Sequence, residues 1–318
     1  MPAAGLHVLY VLGIHHSGTT LLGNLAGQLD GFFFAGELRT FWRKSLLPNA
    51  RCGCGELLSE CDVWRSIQRS VLGEEQERAG LAREMRQCQR EALHEFHTWL
   101  RVPSLLRRRG QELPPGTSLA RYASELARVY RAAADKTGAE VIIDSSKEPS
   151  DAALLLLMPE IEPTFVHIVR DPRGTVNSIL RFRADGHPVV ERRLTQSVYA
   201  ALSWSAGNVA CNAVRRAVGP ARSSLLRYED FVSGPRETIQ AVAQLAGRPA
   251  QLTAPVEPGT VYMRAVHTVG GNNNRFRTGP VLLREDATWR SQLHPLDQVA
   301  VTAVCAPVMT RYGYRLVS

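Results

Sequence analysis

The sequence predicts an α/β fold in three layers, with a parallel β-sheet flanked by helices on both faces. Apolar segments of strand length alternate with helical segments along the chain, which is the pattern of strands buried on both sides. The first of them, LHVLYVL at residues 6–12, leads through a glycine-rich turn into an apolar-periodic helix that begins at Thr19. Strand, tight turn and helix in this order indicate the first unit of a parallel sheet.

Three later segments are predicted to extend this sheet. They are EVIID at residues 140–144, TFVHIV at 164–169 and SLLRY at 224–228. Beyond the second of them, Asp171 is a suitable N-cap and Pro172 a suitable first helical residue, so a helix is predicted to begin there and to run to about residue 183. Residues 253–271 are predicted to form a loop, and residues 286–311 return to a helical pattern.

A long segment separates the first strand and helix from the strand at residues 140–144. Residues 65–135 are rich in Arg, Glu, Gln, Ala and Leu, and LPPG interrupts them at residues 113–116. We interpret this segment as a helical insertion or lid within a single domain that covers residues 1–318.

Composition excludes several classes of protein. Apolar residues make up 44% and charged residues 21% of the chain, an ordinary globular balance that excludes a largely disordered protein. No apolar run approaches the ~18 residues of a membrane span, and the N-terminal run lacks the features of a secretory leader. We therefore expect a reduced, cytoplasmic protein with no membrane span, for which a homodimer is one option.

The basic residues suggest an anionic ligand. The net charge is +8, and only three of the 38 basic residues are lysines: Lys44, Lys136 and Lys147. A basic surface also suits nucleic acid, but the chain has no basic-aromatic interleaving and no recognisable reader motif. A nucleic-acid partner is therefore not expected.

The motif GIHHSGTT at residues 13–20 has the spacing of a phosphate-binding loop, so the predicted fold is P-loop-like. Its glycines let successive N–H groups of Ser17, Gly18, Thr19 and Thr20 point at one anion, at the positive end of the following helix. Thr19 stands where nucleoside triphosphatases have lysine, which disfavours triphosphate hydrolysis.

Two adjacent histidines are unusual in such a loop. His15 and His16 can donate hydrogen bonds to a bound anion, and they add positive charge when they are protonated. We therefore place both among the candidate ligand-binding residues.

A second anion site is predicted at the end of the strand at residues 164–169. Arg170 follows that strand and Ser178 lies eight residues further on, so a forked guanidinium contact and a hydroxyl donor are available to a phosphate. Arg173, Arg181 and Arg183 are interpreted as a solvated helix face. Two anion sites at one sheet edge suggest a nucleotide with phosphates at both ends of its ribose.

Taken together, these motifs resemble the sulfotransferase family that uses 3′-phosphoadenosine 5′-phosphosulfate. GIHHSGTTLL at residues 13–22 resembles the family's 5′-phosphosulfate loop, and the stretch from Arg170 to Ser178 resembles its 3′-phosphate motif. LRYEDF (226–231), VIIDSSKEP (141–149) and the segment from residue 270 to 314 are also similar to bacterial members. The resemblance spans most of the chain.

The resemblance implies a function and its site residues. It implies transfer of a sulfuryl group to a hydroxyl of a small-molecule, lipid or sugar acceptor, without a metal, and the insertion at residues 65–135 would shape the acceptor pocket. His16 stands where many members have a basic residue and would have a catalytic role in stabilising the leaving phosphate. Lys147 would be catalytic through contact with the sulfuryl group or the acceptor. Arg275 and Arg277 are the best candidates for a C-terminal basic segment that binds the donor. The alternatives are a phosphotransferase with an altered loop and a nucleotide-binding protein that has lost catalysis.

The general base is predicted to be Glu37, in FFFAGE at residues 32–37. Several members of the family place a catalytic glutamate in this region. The preceding phenylalanines would partly desolvate the carboxyl group and raise its pKa. His187, in a loop beyond the 3′-phosphate helix, is the rival.

A cysteine cluster occurs in RCGCGELLSEC at residues 51–61. Cys52, Cys54 and Cys61 supply three thiols, whereas a zinc site usually needs four ligands, and the nearest histidines, His94 and His97, are more than 30 positions away. Related sulfotransferases contain similar segments. We therefore interpret the segment as a structural loop or a local disulfide, with zinc as the alternative.

Overall fold

A computed structural model describes residues 5–95, 97–184, 193–249, 256–257 and 259–317. Its centre is a five-stranded parallel sheet with the strand order β2-β3-β1-β4-β5. The strands are β1 (Leu6–Gly13), β2 (Phe32–Gly36), β3 (Val141–Lys147), β4 (Ile161–Val169) and β5 (Ser223–Arg227). The predicted α/β fold with a parallel sheet flanked by helices is confirmed.

The helices form the two outer layers. They are α1 (Thr19–Ala26), α2 (Phe41–Lys44), α3 (Asp62–Leu72), α4 (Glu75–Leu93), α5 (Val102–Arg107), α6 (Ser118–Thr137), α7 (Pro149–Leu155), α8 (Pro172–Ala184), α9 (Arg193–Val218), α10 (Tyr228–Ser233), α11 (Pro235–Leu245), α12 (Trp289–Gln292) and α13 (Pro295–Arg311). As predicted, Asp171 caps α8, since its Oδ1 accepts from the N–H of Arg173 at 2.8 Å. None of the described helices is long and apolar enough to cross a membrane.

The central position of β1 explains its unbroken apolar sequence. It pairs with β3 on one side and with β4 on the other, so hydrogen bonds cover both of its edges. From Val8 onward every residue of the strand is buried. Because β1 has no free edge and no solvated face, apolar residues are favoured at each position.

Strand β2 was not predicted as a strand. Its sequence FFFAG pairs in parallel with β3, so it forms one edge of the sheet, and Glu37 follows directly at its carboxyl end. Helix α1 packs closely on Phe34 of this strand. A Cβ atom added at Gly23 would lie 2.3 Å from an atom of Phe34, and one added at Gly27 would lie 2.5 Å from it. Only glycine fits at these two positions of α1 while Phe34 packs against the helix.

Residues 65–135 are helical, as predicted. Helices α3 and α4 pack on α6, and α6 in turn packs on β2 and β3. At this contact the hydroxyl of Tyr130 donates to Asp144 Oδ2 at 2.6 Å, and Trp42, Trp64 and Tyr122 fill the same apolar core.

The loop prediction for residues 253–271 is wrong in part. A small antiparallel sheet is formed by β6 (Val256–Glu257), β7 (Thr260–Met263) and β8 (Gly279–Leu282), in the order β6-β7-β8. Residues 253–255 and 258 lie outside the described residues. The sheet depends on pairing between β7 and β8, which lie 15 or more residues apart, so local sequence did not indicate it.

A buried histidine in β4 should make stability depend on pH. His167 donates from Nε2 to Asn208 Oδ1 at 2.9 Å, and burial lowers its pKa from 6.5 to about 4. Between these pH values the unfolded chain binds a proton that the native protein does not, so the free energy of unfolding falls as the pH falls. We expect wild type to lose about 2–3 kcal/mol more than His167→Gln between pH 7 and 4.5 in urea unfolding. Equal losses would contradict the assignment.

Candidate active site

A cavity of about 510 Å³ opens at the carboxyl edge of the parallel sheet. Residues that follow or end each of the five strands line it: His15, His16, Gly18, Thr19 and Thr20 after β1, Glu37 after β2, Lys147 in β3, Arg170 after β4 and Tyr228 after β5. Doubly wound sheets bind their ligands outside the carboxyl ends of the strands, at the point where the chain turns from one side of the sheet to the other. In this sheet that point lies next to β1.

The loop between β1 and α1 has the backbone of an anion cradle. Gly18, the N-cap of α1, has φ of 97°, and an added Cβ there would lie 2.6 Å from the ring of Tyr228. Gly13 is equally confined, since an added Cβ would lie 2.9 Å from Ile168 O. Gly18, Thr19 and Thr20 line the cavity, so the N-terminal end of α1, whose first N–H groups have no partner within the helix, borders it. The hydroxyl of Ser17 is instead buried next to Gly13.

His16 connects the loop to the predicted 3′-phosphate residues. Its Nδ1 lies 3.0 Å from Ser178 Oγ, and its carbonyl accepts a hydrogen bond from Arg170 at 3.1 Å. Burial lowers the pKa of His16 to about 4, and the charges of His15 and Arg170 act in the same direction. His16 is therefore neutral at neutral pH. Its φ of 67° places a non-glycine residue in the left-handed region, a strain that is concentrated at functional sites.

Arg170 is paired with a carboxylate that the sequence did not bring forward. Its guanidinium donates to Asp286 Oδ2 at 3.0 Å and stacks over the ring of Tyr228 at 4.7 Å. Arg181 donates to the same Asp286 oxygen at 2.9 Å. Burial raises the pKa of Asp286, but hydrogen bonds from Thr288 and Arg170 outweigh it and lower the pKa to about 2. An anionic group thus already lies between two arginines in this part of the cavity.

Glu37 and Lys147 form an ion pair on the opposite wall. Lys147 Nζ donates to Glu37 Oε1 and, at 3.3 Å, to Ser145 O. Burial raises the pKa of Glu37, but the charge and hydrogen bond of Lys147 outweigh it, so the pKa lies below its ordinary value of 4.5. The expectation of a raised pKa for Glu37 is therefore wrong. Lys147 has φ of 72° and is only 4% exposed, which is unusual for lysine.

The sequence from residue 9 to residue 251 matches the model of the sulfotransferase family. The chain belongs to this family. Its structure is similar over nearly the full length to the sulfotransferase domain of the olefin synthase from Synechococcus PCC 7002, with 17% identity, a TM-score of 0.50 and coverage of 98% of this chain and 96% of that one. The sulfotransferase domain from the curacin biosynthetic pathway gives 14% identity, a TM-score of 0.52 and 99% coverage of both chains.

At these identities the two structures support the fold alone. No curated protein matches the chain significantly. The family predicted from the phosphate loop and the stretch from Arg170 to Ser178 is nevertheless confirmed by the match at residues 9–251.

Two predicted sulfotransferase residues differ in their placement. Arg277 lines the cavity, but the guanidinium of Arg275 is buried and donates to the carbonyls of Gly271 and Arg51. Arg275 thus stabilises the segment that carries Arg277.

The predicted ligand residue His15 also lines the cavity. Its Nε2 lies 3.7 Å from Glu148 Oε1, and its side chain is 66% exposed.

The interpretation of the helix α8 arginines as a solvated face is wrong for Arg173. Arg173 is buried, pairs with Asp171 at 2.7 Å and stacks on Trp289 at 4.2 Å, so it holds α8 to α12. Arg181 is exposed, as interpreted, and it also lines the cavity. The spacing of Ser178 and Arg181, three residues apart on a helix, could have indicated a shared face. The side chain of Arg183 lies outside the described part of the chain.

Among the described residues, none from 65–135 lines the cavity, although the insertion was expected to shape the acceptor pocket. The insertion contacts a neighbour of the cavity residue Lys147, since Thr98 Oγ1 donates to Glu148. His187, the rival base, lies outside the described residues. Tyr228, the first residue of α10 and part of the LRYEDF motif, lines the cavity, although no role there was predicted for it from the sequence. The sequence also did not single out Asn272 and Asn274, which line the cavity from the segment before β8.

Proposed function

We propose that this sulfotransferase uses 3′-phosphoadenosine 5′-phosphosulfate and transfers its sulfuryl group to a hydroxyl of a small-molecule, lipid or sugar acceptor. One observation carries the proposal: a single cavity joins an anion cradle at α1, an arginine pair and a buried glutamate–lysine pair. A donor with two anionic groups and a reaction that needs a base match these three features.

The donor's two anionic ends would bind to neighbouring groups. The 5′-phosphosulfate would accept hydrogen bonds from the N–H groups of Gly18, Thr19 and Thr20 and from the imidazole of His16. The 3′-phosphate would bind to Arg170, Arg181 and the hydroxyl of Ser178, where it would replace the carboxylate of Asp286. Arg–phosphate pairs are strong because the guanidinium makes two parallel, charge-assisted hydrogen bonds.

The transfer step would move a sulfuryl group from the donor to the acceptor and a proton from the acceptor to the protein. The S–O bond to the 5′-phosphate breaks, a bond from sulfur to the acceptor oxygen forms, and the leaving adenosine 3′,5′-bisphosphate keeps the electron pair. Glu37 would take the acceptor's proton, while Lys147 would turn from Glu37 to the sulfuryl oxygens. As Lys147 leaves, Glu37 loses the strongest influences that lower its pKa, and burial then outweighs the weaker charges of His15 and Arg275. The pKa of Glu37 would therefore rise, and the carboxylate would become a stronger base when the donor is bound.

Two measurements test this function. Calorimetric titration should give tight binding of adenosine 3′,5′-bisphosphate and weak binding of ATP, since Thr19 replaces the lysine that triphosphates require. Radiolabelled donor with a panel of hydroxyl compounds should then yield a labelled product. Preference for ATP, with phosphate transfer to the acceptor, would instead establish a phosphotransferase. Binding of adenosine 3′,5′-bisphosphate without transfer to any acceptor would favour a protein that has lost catalysis.

The carboxylate of Asp286 should compete with the donor. We expect Asp286→Asn to bind adenosine 3′,5′-bisphosphate about 3- to 10-fold more tightly, because the phosphate no longer has to displace a charged partner of Arg170. Asparagine can still accept the hydrogen bonds that Thr288 makes to Asp286 Oδ1. Calorimetry with Glu285→Gln as the control checks this. Weaker binding by Asp286→Asn would mean that Asp286 holds Arg170 in place for the donor.

A further inference from the structure

The cysteine segment between α2 and α3 folds into a compact turn that brings its three thiols together. The N–H of Cys52 donates to Glu56 O at 2.9 Å, and the N–H of Cys61 donates to Leu57 O at 2.8 Å. Cys61 is the N-cap of α3. Cys52 and Cys61 are fully buried, whereas Cys54 is partly exposed.

A histidine from a distant part of the chain completes this cluster. His267 Nδ1 lies 3.3 Å from Cys61 Sγ and 3.7 Å from Cys52 Sγ, although 206 positions separate His267 from Cys61. The Sγ atoms of Cys52, Cys54 and Cys61 and the ring nitrogen of His267 all lie within 4.8 Å of one another. In a tetrahedral zinc site with ordinary Zn–S and Zn–N bonds, neighbouring ligand atoms are about 3.5–3.8 Å apart.

The surrounding backbone holds the two segments against each other. Gly53 donates to Thr268 O at 3.1 Å, and an added Cβ at Gly53 would lie 2.5 Å from Val266 O, so no larger residue fits there. The indole of Trp64, fully buried in α3, donates to His267 O at 3.1 Å and fixes the position of the histidine. Four donors are therefore held by contacts that do not depend on the thiols themselves.

The chemistry of the four donors selects the ion. Three thiolates and one imidazole in a tetrahedral arrangement are the ligands of zinc sites. The N–H of Cys54 points at Cys52 Sγ at 3.5 Å, which is the kind of hydrogen bond that supports a thiolate ligand. A disulfide would use only two of the thiols and would leave the third beside His267.

We propose that Cys52, Cys54, Cys61 and His267 bind one structural Zn²⁺. The site is closed, because all four positions of the tetrahedron are occupied by protein ligands, so the ion has no place for a substrate. None of these four residues lines the cavity described above.

The ion would hold one wall of the cavity in place. His267 is followed by Val269, whose N–H donates to Ala35 O at 3.0 Å, and by Gly270, whose carbonyl accepts from the N–H of Glu37 at 3.4 Å. The same segment continues into Gly271, Asn272, Asn274 and Arg277, which line the cavity. The zinc site therefore joins the turn before α3 to the segment that borders the base and the donor.

Metal analysis of the full chain tests the site directly. Protein purified without a metal-binding tag under reducing conditions should contain one zinc per chain. Replacement of zinc by Co²⁺ should give thiolate-to-cobalt charge transfer and the intense visible bands of tetrahedral cobalt. Cys61→Ser and His267→Ala should weaken zinc binding at least about 100-fold in a chelator competition, whereas Cys88→Ser, a half-buried cysteine on α4, should leave it unchanged.

A measurement on the wild-type chain covers the case in which these variants do not fold. Removal of zinc by a chelator should increase hydrogen exchange at residues 51–64 and 266–277 and leave β1, β3 and β4 protected, and added zinc should reverse the change. A chain without zinc after reconstitution, a disulfide between two of the three cysteines under reducing conditions, or exchange that ignores the chelator would overturn the proposal. None of these readouts requires the donor or the acceptor.

Discussion

Replacing Arg170 by alanine is expected to weaken the binding of adenosine 3′,5′-bisphosphate by about 30- to 700-fold, or 2–4 kcal/mol. The side chain of Arg170 is only 8% exposed, so water would not replace its contact with a phosphate. Arg170→Lys should recover part of the affinity, because it keeps the charge but loses the fork of two parallel hydrogen bonds.

The comparison that decides the role of Arg170 uses two ligands. Adenosine 5′-phosphosulfate lacks the 3′-phosphate, so its affinity should change little in Arg170→Ala, and calorimetry with both ligands measures the difference. Arg236→Ala, which removes an exposed arginine from α11, is the matched control. Equal losses for the two ligands would show that Arg170 acts through the loop, since it also donates to the carbonyl of His16.

The parts of the fold that the sequence predicts are those that local pattern determines. Strands β1, β3, β4 and β5 are short apolar segments between turn signals, and α8 begins at a recognisable cap. Strand β2 is also apolar, but only five residues separate it from the end of α1. Without a longer turn between them, the sequence does not show where the helix ends and the strand begins. The sheet of β6, β7 and β8 has no local signal, since its pairing is a long-range event.

The same division applies to the site. The phosphate loop and the spacing of Arg170 and Ser178 can be recognised because each is a continuous motif with a defined backbone. The pairs that set its electrostatics join residues far apart: 110 positions separate Glu37 from Lys147, and 116 separate Arg170 from Asp286. The local spacing of residues along the sequence does not indicate ion pairs between such distant positions. For that reason the lowered pKa of Glu37 was not foreseen, although its burial was.

Replacing Glu37 by glutamine should lower turnover by about 10²- to 10⁴-fold with little change in donor affinity. Glutamine keeps the size of the side chain and can still accept a hydrogen bond from Lys147, but it cannot take the acceptor's proton. Steady-state kinetics and calorimetry of adenosine 3′,5′-bisphosphate separate the two effects. Glu140→Gln, on the surface beyond the far end of β3, is the control, because its partner Arg248 is remote from the cavity lining.

The pH profile distinguishes a base from a structural carboxylate. The base acts when deprotonated, and Lys147 keeps the pKa of Glu37 below 4.5 in the free enzyme, so kcat/KM should stay flat on the acid side down to that pH. The proposed transfer step moves Lys147 to the sulfuryl oxygens in the donor complex, which would raise the pKa of Glu37, so kcat should fall at a higher pH than kcat/KM does. Both acid limbs should be absent in Glu37→Gln. A Glu37→Gln enzyme within about threefold of wild type, together with an inactive His187→Ala, would assign the proton to His187 instead.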